Sequence, residues 1–291
     1  YARESVYKEG NPEKIRKEKE NIEKWSSIFP GLGPRVFSYR EEKTSASLLV
    51  EFLHGCTLDE LILTVGDDAL DGVFVILEET LREVWETTRN AGLIKSDYVR
   101  QIQKRMDKIR AVHPEFFRPE SEVGSARVDG SERLLDRCAR IENDLHAPFS
   151  VFIHGDFNTN NIVFDNATER IHFVDLLRSA DGDYVQDASV FLLSNFRMPV
   201  FEEKLRGRLN RVIGRYFDFI AEFAQENGDE TLGARMAFGL ARSFYTSTRF
   251  EMNFDFAKEM YLRAHFLLEK IVHHEGKPWS QFHLPASVLY Y

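Results

Sequence analysis

Two aspartates and an asparagine stand at informative intervals in the middle of the chain: Asn161 lies five residues after Asp156, and Asp175 lies nineteen after it. Carboxylate and amide oxygens are hard donors, suited to a magnesium ion that keeps some of its waters. A further carboxylate beside a hydroxyl can orient that hydroxyl and accept its proton. His154 and Gly155 immediately precede Asp156; an imidazole there can hold the loop by hydrogen bonds, and a glycine allows a backbone geometry that a side chain would hinder. Taken singly, these are ordinary turn residues between strands. Farther along, Asp183 and Asp187 read as braces of the same loop or as caps of the helix that follows.

The elements that must position these residues are short. Phe149 to Ile153 reads as an apolar strand, and Asn161 to Phe164 and Arg170 to Val174 as two strands around a turn-rich stretch, together a hairpin. Upstream, an extended run at Ser5 to Lys8 stops at Gly10-Asn11-Pro12, after which Ile15, Ile22 and Trp25 keep the spacing of a short amphipathic helix from Pro12 to Trp25. Val36 to Tyr39 and Ser47 to Leu53 are strand candidates, and Thr57 with Glu60 has capping-box spacing at the start of another helix. The segment before about residue 54 is thus a small α+β unit, and His54-Gly55 reads as a linker to the remainder.

That remainder is mainly helical. Apolar stripes run through Phe74, Leu77, Leu81 and Val84, then Val99, Ile102, Met106 and Ile109, then Leu134, Leu135, Cys138 and Ile141. Residues 113–130, with Pro114, Pro119, Gly124 and Gly130, read as a polar irregular connection. After Asp187 helices return, through about residue 274.

Composition narrows the classes. A chain of 291 residues, 43% hydrophobic, can bury a substantial core, while a net charge of -9 argues against a general nucleic-acid binder, whose surface must neutralise phosphates. The basic run Lys14, Arg16, Lys17 and Lys19 alternates with acids and reads as a solvated helix face. Cys56 and Cys138 lack the paired spacing of a zinc or redox motif. Apolar runs too short to cross a bilayer, and an N-terminal stretch without an apolar signal-like core, predict a cytoplasmic protein with no membrane partner.

The pattern His-Gly-Asp, four residues, Asn161, then a hairpin and Asp175 resembles the catalytic core of the aminoglycoside phosphotransferase and choline kinase family, small-molecule kinases of protein-kinase-like fold. The resemblance implies an α+β bilobal architecture: a β-rich N-terminal nucleotide lobe at residues 1–54 and a larger, mainly helical catalytic and substrate lobe at 55–291. It implies Asp156 as catalytic base, His154 as a support of its loop, and Asn161 and Asp175 as ligands of magnesium on the phosphates of ATP. The chemistry is coherent, because phosphoryl transfer asks the enzyme mostly to position reactants and neutralise charge.

On the nucleotide side, Lys8 on its strand and Glu18 on the next helix are similar to the family's phosphate-binding lysine and the glutamate that holds it. Glu51, Phe52 and Leu53 resemble the hinge whose backbone meets the purine, a mode of recognition that does not decide between ATP and GTP. The family's first strands and phosphate-covering loop should precede Lys8, so the chain is expected to lack them at its start.

The acceptor is a small molecule of unnamed identity. Glu251 and Asp255 suit a cationic acceptor, with Tyr245, Phe250 and Phe254 able to pack on a quaternary ammonium, whereas Arg242 and Arg249 suit an anionic one. Arg178 stands where the family often carries arginine and can brace the site or meet phosphate. Two alternatives remain: a non-catalytic kinase-like binding module, and a protein kinase. The second is disfavoured by His-Gly-Asp in place of His-Arg-Asp, Leu-Leu after Asp175, and no Ala-Pro-Glu segment.

Overall fold

Asn11 and Pro12 open the first helix as their types demand, the Asn11 side chain accepting from the Lys14 amide and Pro12 filling a position that needs no N–H donor. In the computed structural model, which describes residues 4–117, 119–123 and 126–290, the order begins β1 (Ser5–Gly10), α1 (Pro12–Ile28), β2 (Val36–Glu41), β3 (Ala46–Glu51), β4 (Cys56–Thr57), α2 (Leu58–Thr64), α3 (Asp67–Thr88) and β5 (Asn90–Lys95). It continues through α4 (Tyr98–Gln103), α5 (Met106–Val112), β6 (Ser121–Val123), β7 (Ala126–Val128), α6 (Ser131–Asp144), β8 (His146–Ile153), β9 (Ile162–Asp165), β10 (Arg170–Phe173) and β11 (Ala180–Gly182). Four helices close it: α7 (Val185–Phe196), α8 (Glu203–Glu226), α9 (Leu232–Ser247) and α10 (Phe254–His274). The architecture is α+β, with its strands weighted to the first part and helices dominating the rest. Among the described residues no helix is long and apolar enough to cross a membrane.

Two compact units emerge, one made of Tyr1–Asn90, Val151–Asp187 and Met198–Val212, the other of Ala91–Ser150, Ala188–Arg197 and Ile213–Tyr291. In the first, β1, β3 and β2 form an antiparallel sheet in that order, with Lys8 opposite Leu48. Alternate residues Ala46, Leu48 and Val50 of β3 are buried, and α1 packs on this strand through a face carrying Ile15, Ile22 and Trp25. A second sheet, ordered β10, β9, β4, holds the hairpin, whose register pairs Ile162 with Phe173 and Phe164 with Ile171. Gly55 lets β4 approach β9, since a Cβ at its φ of +136° would lie 2.3 Å from the Phe164 carbonyl oxygen.

The second unit is organised around α9, buried along most of its length and packed against α10 and α4. Asp229 and Arg235 form an ion pair with no exposed side-chain surface. The buried Glu142 caps α4, accepting from the amides of Tyr98 at 2.7 Å and Val99 at 3.0 Å.

The structure differs from the sequence reading in detail. The stripe Val99 to Ile109 spans two helices, because the chain turns at Lys104 and Arg105, where the Arg105 amide bonds to the Ile102 carbonyl at 2.8 Å. The connection expected to be irregular forms a short 3-10 turn at Pro114–Phe116 and the β6–β7 hairpin; Gly124 lies outside the described residues.

Candidate active site

The hairpin register brings the anchors together. Ile162 faces Phe173, and one step outward the Val174 amide donates to the Asn161 carbonyl at 3.0 Å, so Asn161 and Asp175 emerge at the same end of the hairpin. Both line a cavity of about 450 Å³ together with Lys8, Glu18, Glu51, Phe52 and Leu53, and with apolar walls that include Val6, Val50, Val163 and Val174. The Lys8 ammonium hydrogen-bonds the buried Glu18 carboxylate and, at 2.8 Å, Asp175 Oδ1. Burial works against the charge on Lys8, but the hydrogen bonds to Asp175 and Glu18 outweigh it and raise its pKa above the ordinary lysine value.

Asp156 is not among the residues lining that cavity, yet it is tied to it: Asn161 Nδ2 donates to the Asp156 carbonyl at 2.9 Å. This bond uses the amide nitrogen and leaves Oδ1 as the Asn161 atom suited to a cation. The Asp156 carboxylate is oriented by Arg178 Nη1 at 2.9 Å from Oδ2 and by Asn158 Nδ2 at 3.1 Å from Oδ1. Gly155, at φ +82°, makes that approach possible, since a Cβ there would sit 2.1 Å from the Arg178 carbonyl oxygen.

His154 is buried, and burial lowers its pKa to about 4, which keeps the ring neutral at ordinary pH. Its partners fix the tautomer: Nε2 lies 2.8 Å from the Val174 carbonyl and must donate, while Nδ1 accepts from the Asp156 amide at 3.3 Å. Beneath it Asp187 accepts from the amides of His154 at 2.7 Å and Gly155 at 2.8 Å. Asp183 caps α7, accepting from the Val185 amide at 3.0 Å.

In the stretch expected to serve as a hinge, Glu51 is held by Arg35, whose guanidinium lies 2.5 Å and 2.9 Å from its two oxygens and keeps its carboxyl below the usual range. The Glu51 amide bonds to the Arg35 carbonyl and the Phe52 amide to the Glu4 carbonyl. The main-chain donors of those two residues are therefore already engaged.

Glu251 and Asp255 belong to the second unit. Glu251 Oε1 accepts from the Asn253 amide at 2.8 Å, and Asp255 is exposed in the first turn of α10. Tyr245 is fully buried, packed edge-on against the Tyr261 ring, so it cannot present a face to a quaternary ammonium as expected. Arg249 bonds to the Thr246 carbonyl and lies over the Phe250 ring, 4.1 Å from its centre.

Sequence reasoning missed three contacts from α1. Asn21 Nδ2 donates to the carbonyls of Leu176 at 2.7 Å and Leu177 at 3.1 Å, and the Trp25 indole donates to Ser179 Oγ at 2.8 Å. The one available signal was a polar residue, Asn21, directly beside Ile22 on the helix face that also carries Trp25.

Among the described residues no group of three or more His, Cys, Asp or Glu can hold a metal ion by itself. The donor set of Asp175 and Asn161 does suit magnesium, which takes one or two protein oxygens and completes its shell with phosphates and water.

A protein-kinase-like fold built around a lysine, a glutamate and a carboxylate-bearing hairpin is the class defined here. Residues 12–223 match the phosphotransferase enzyme family, and the chain belongs to that family. Among solved structures, it is similar to an aminoglycoside phosphotransferase from Streptomyces rimosus in complex with ADP and streptomycin, with 18% identity over 91% of this chain and 86% of that one, at a TM-score of 0.51. An ethanolamine kinase from Plasmodium vivax aligns at 13% identity over 89% of this chain and 76% of that one, with a TM-score of 0.48. No curated protein sequence matches the chain.

Proposed function

We propose that this phosphotransferase is an ATP-dependent, magnesium-requiring kinase that moves the γ-phosphate onto a hydroxyl of a small molecule such as an aminoglycoside, a sugar or an amino alcohol. Residues 1–54 serve as its nucleotide-binding lobe and residues 55–291 as its catalytic and substrate-binding lobe. The observation that supports this most is that Lys8, Glu18, Asn161 and Asp175 line one cavity while the Asn161 amide is bonded to the main chain of Asp156. The volume of that cavity, about 450 Å³, lies in the range of small-ligand sites. The Streptomyces rimosus enzyme, solved with ADP, supports a nucleotide as the donor.

Each residue then has a task. Lys8 meets the phosphates and is held in place by Glu18, while Val6, Val50, Val163 and Val174 enclose the faces of the base. With the amides of Glu51 and Phe52 engaged, the purine edge falls to Leu53 and to the carbonyls of the hinge, an arrangement that serves ATP and GTP alike. Asp175 and Asn161 hold magnesium, which when bound neutralises charge on the phosphates. Asp156, oriented by Arg178 and Asn158, positions the acceptor hydroxyl and takes its proton as the new P–O bond forms. His154, neutral and with both nitrogens occupied, holds the loop and does not exchange protons with substrate, while Asp187 and Asp183 brace what lies beneath.

The test is a panel that measures triphosphate consumption with aminoglycosides, sugars, amino alcohols, nucleosides and a generic protein. Turnover with one small-molecule class, lost in Asp156→Ala while ADP still binds, is the expected result. Turnover retained in Asp156→Ala would contradict the assigned base, and phosphorylation of the protein alone would contradict the acceptor class.

A further inference from the structure

Asp175 occupies the left-handed region, φ +62° and ψ +52°, although it is not glycine. Such backbone costs free energy and persists only where its surroundings over-determine it, commonly at functional sites. On its N-terminal side the restraint is the Val174 amide bonded to Asn161. On its C-terminal side the next two carbonyls, of Leu176 and Leu177, are both gripped by the side-chain amide of Asn21. Asn21 is only 9% exposed, on a helix face that also carries Ile15, Glu18, Ile22 and Trp25. A polar side chain is tolerated there because its donors are used, and an aliphatic residue would leave the two carbonyls without this partner.

Helical spacing sharpens the point. Asn21 lies three residues after Glu18 and four before Trp25, so all three project from one face of α1. Glu18 holds Lys8, Asn21 holds the turn after Asp175, and Trp25 donates to Ser179, whose hydroxyl donates in turn to the His154 carbonyl at 3.2 Å. We infer that Asn21 is a positioning residue: by pinning the carbonyls of Leu176 and Leu177 it keeps Asp175 in the conformation that aims its carboxylate at the nucleotide cavity, so that α1 sets the phosphate-binding lysine and the metal-binding carboxylate together. This rests on the role proposed above for Asp175.

The test uses Asn21→Ala, the isosteric Asn21→Asp, which removes the donor, and Asn21→Gln, which keeps the donor one methylene farther out. For each, a fluorescent ADP analogue is titrated with and without magnesium, and thermal stability is recorded alongside. Loss of two hydrogen bonds predicts that Asn21→Ala and Asn21→Asp need about tenfold more magnesium for half-maximal nucleotide binding, with metal-free affinity changed less than about twofold. A lowered melting temperature with an unchanged magnesium requirement would make Asn21 purely structural and overturn the inference. Should both variants fail to fold, Asn21→Gln decides: a magnesium requirement raised severalfold supports the inference, and an unchanged one overturns it. Asp175→Ala, run in parallel, separates the two claims. If it keeps magnesium-dependent binding, the site reading itself fails; if it loses that binding while the Asn21 variants behave as wild type, only this inference fails.

Discussion

Replacing Gly155 by alanine places a methyl group where the main chain of Arg178 already stands. The added Cβ would lie 2.1 Å from the Arg178 carbonyl oxygen and 2.7 Å from its carbon. An ordinary carbon–oxygen contact is about 3.3 Å, so the Arg178 segment must retreat by roughly 1.2 Å or the loop carrying Gly155 and Asp156 must tilt by as much. Alanine at φ +82° adds about 1–2 kcal/mol of left-handed backbone strain, and overpacking of this kind costs about 1–3 kcal/mol more. The expected loss of stability is therefore about 2–5 kcal/mol, visible in urea unfolding. A loss of turnover should accompany the loss of stability, because the displaced residue is one of the two, with Asn158, that orient the Asp156 carboxylate. A misplacement of about 1 Å costs on the order of a hundredfold in rate. Gly155 is not among the residues lining the cavity proposed for the nucleotide, so ADP affinity should hold within about twofold. A folded Gly155→Ala protein with turnover within about threefold of wild type would refute the claim that the close approach of loop and turn sets the base.

Other perturbations are read against the same geometry. Lys8→Met should weaken nucleotide binding about tenfold or more and lower the melting temperature, because Glu18 is left buried without its cation; adding Glu18→Gln should recover the melting temperature without recovering affinity, as a fluorescent-ADP titration and a thermal scan would reveal. Asp187→Asn keeps one acceptor and turns an amide donor toward the N–H groups of His154 and Gly155, which should cost about 2 kcal/mol in urea unfolding and lower kcat with little change in nucleotide KM. Full stability and activity in that variant would mean the loop does not depend on its brace.

The juxtaposition of the candidate site residues was legible because they are local. Asp156, Asn161 and Asp175 lie within one strand–loop–hairpin–strand run, and once the turn at Asp165 to Glu169 is recognised, the hairpin register brings Asn161 beside Asp175 without further information. What could not be read depends on contacts distant in sequence. The Arg178–Asp156 pair requires the turn after Asp175 to fold back over Gly155, and the bonds from Asn21 and Trp25 cross about 155 residues of chain. Trp25 was legible as an apolar member of α1, but its indole N–H carried no signal until Ser179 was placed against it. Two short strands, β4 and β11, have too few residues to show a period and exist only as pairing partners of β9 and β8. The break between α4 and α5 carries no glycine or proline, so the apolar stripe runs straight through it.

A buried glutamate and a partly buried histidine in the second unit titrate in opposite directions, and the prediction is that each hides the other. Burial raises Glu142 from 4.5 to about 7, with nearby Asp97 adding to the rise and the amides of Val99 and Tyr98 and the charge of Lys95 opposing it. A raised folded pKa means that its contribution is complete below pH 4.5 and is lost as pH climbs through 7, a change on the order of 3 kcal/mol. Burial lowers His265 from 6.5 to about 4, so its contribution is complete above pH 6.5 and is lost as pH falls through 4, again on the order of 3 kcal/mol. Between these limits the two slopes have opposite sign and similar size, and wild-type stability takes little net slope from the pair. Single variants separate them. Relative to wild type, Glu142→Gln should gain stability as pH rises from 4.5 to 7, and His265→Phe, which keeps the ring packed against Tyr261, should lose it over nearly the same interval. Urea unfolding at pH 4.5, 5.5, 6.5 and 7.5 measures both differences. Variant-minus-wild-type differences that stay constant across the series would show that neither group changes its protonation on folding as burial requires.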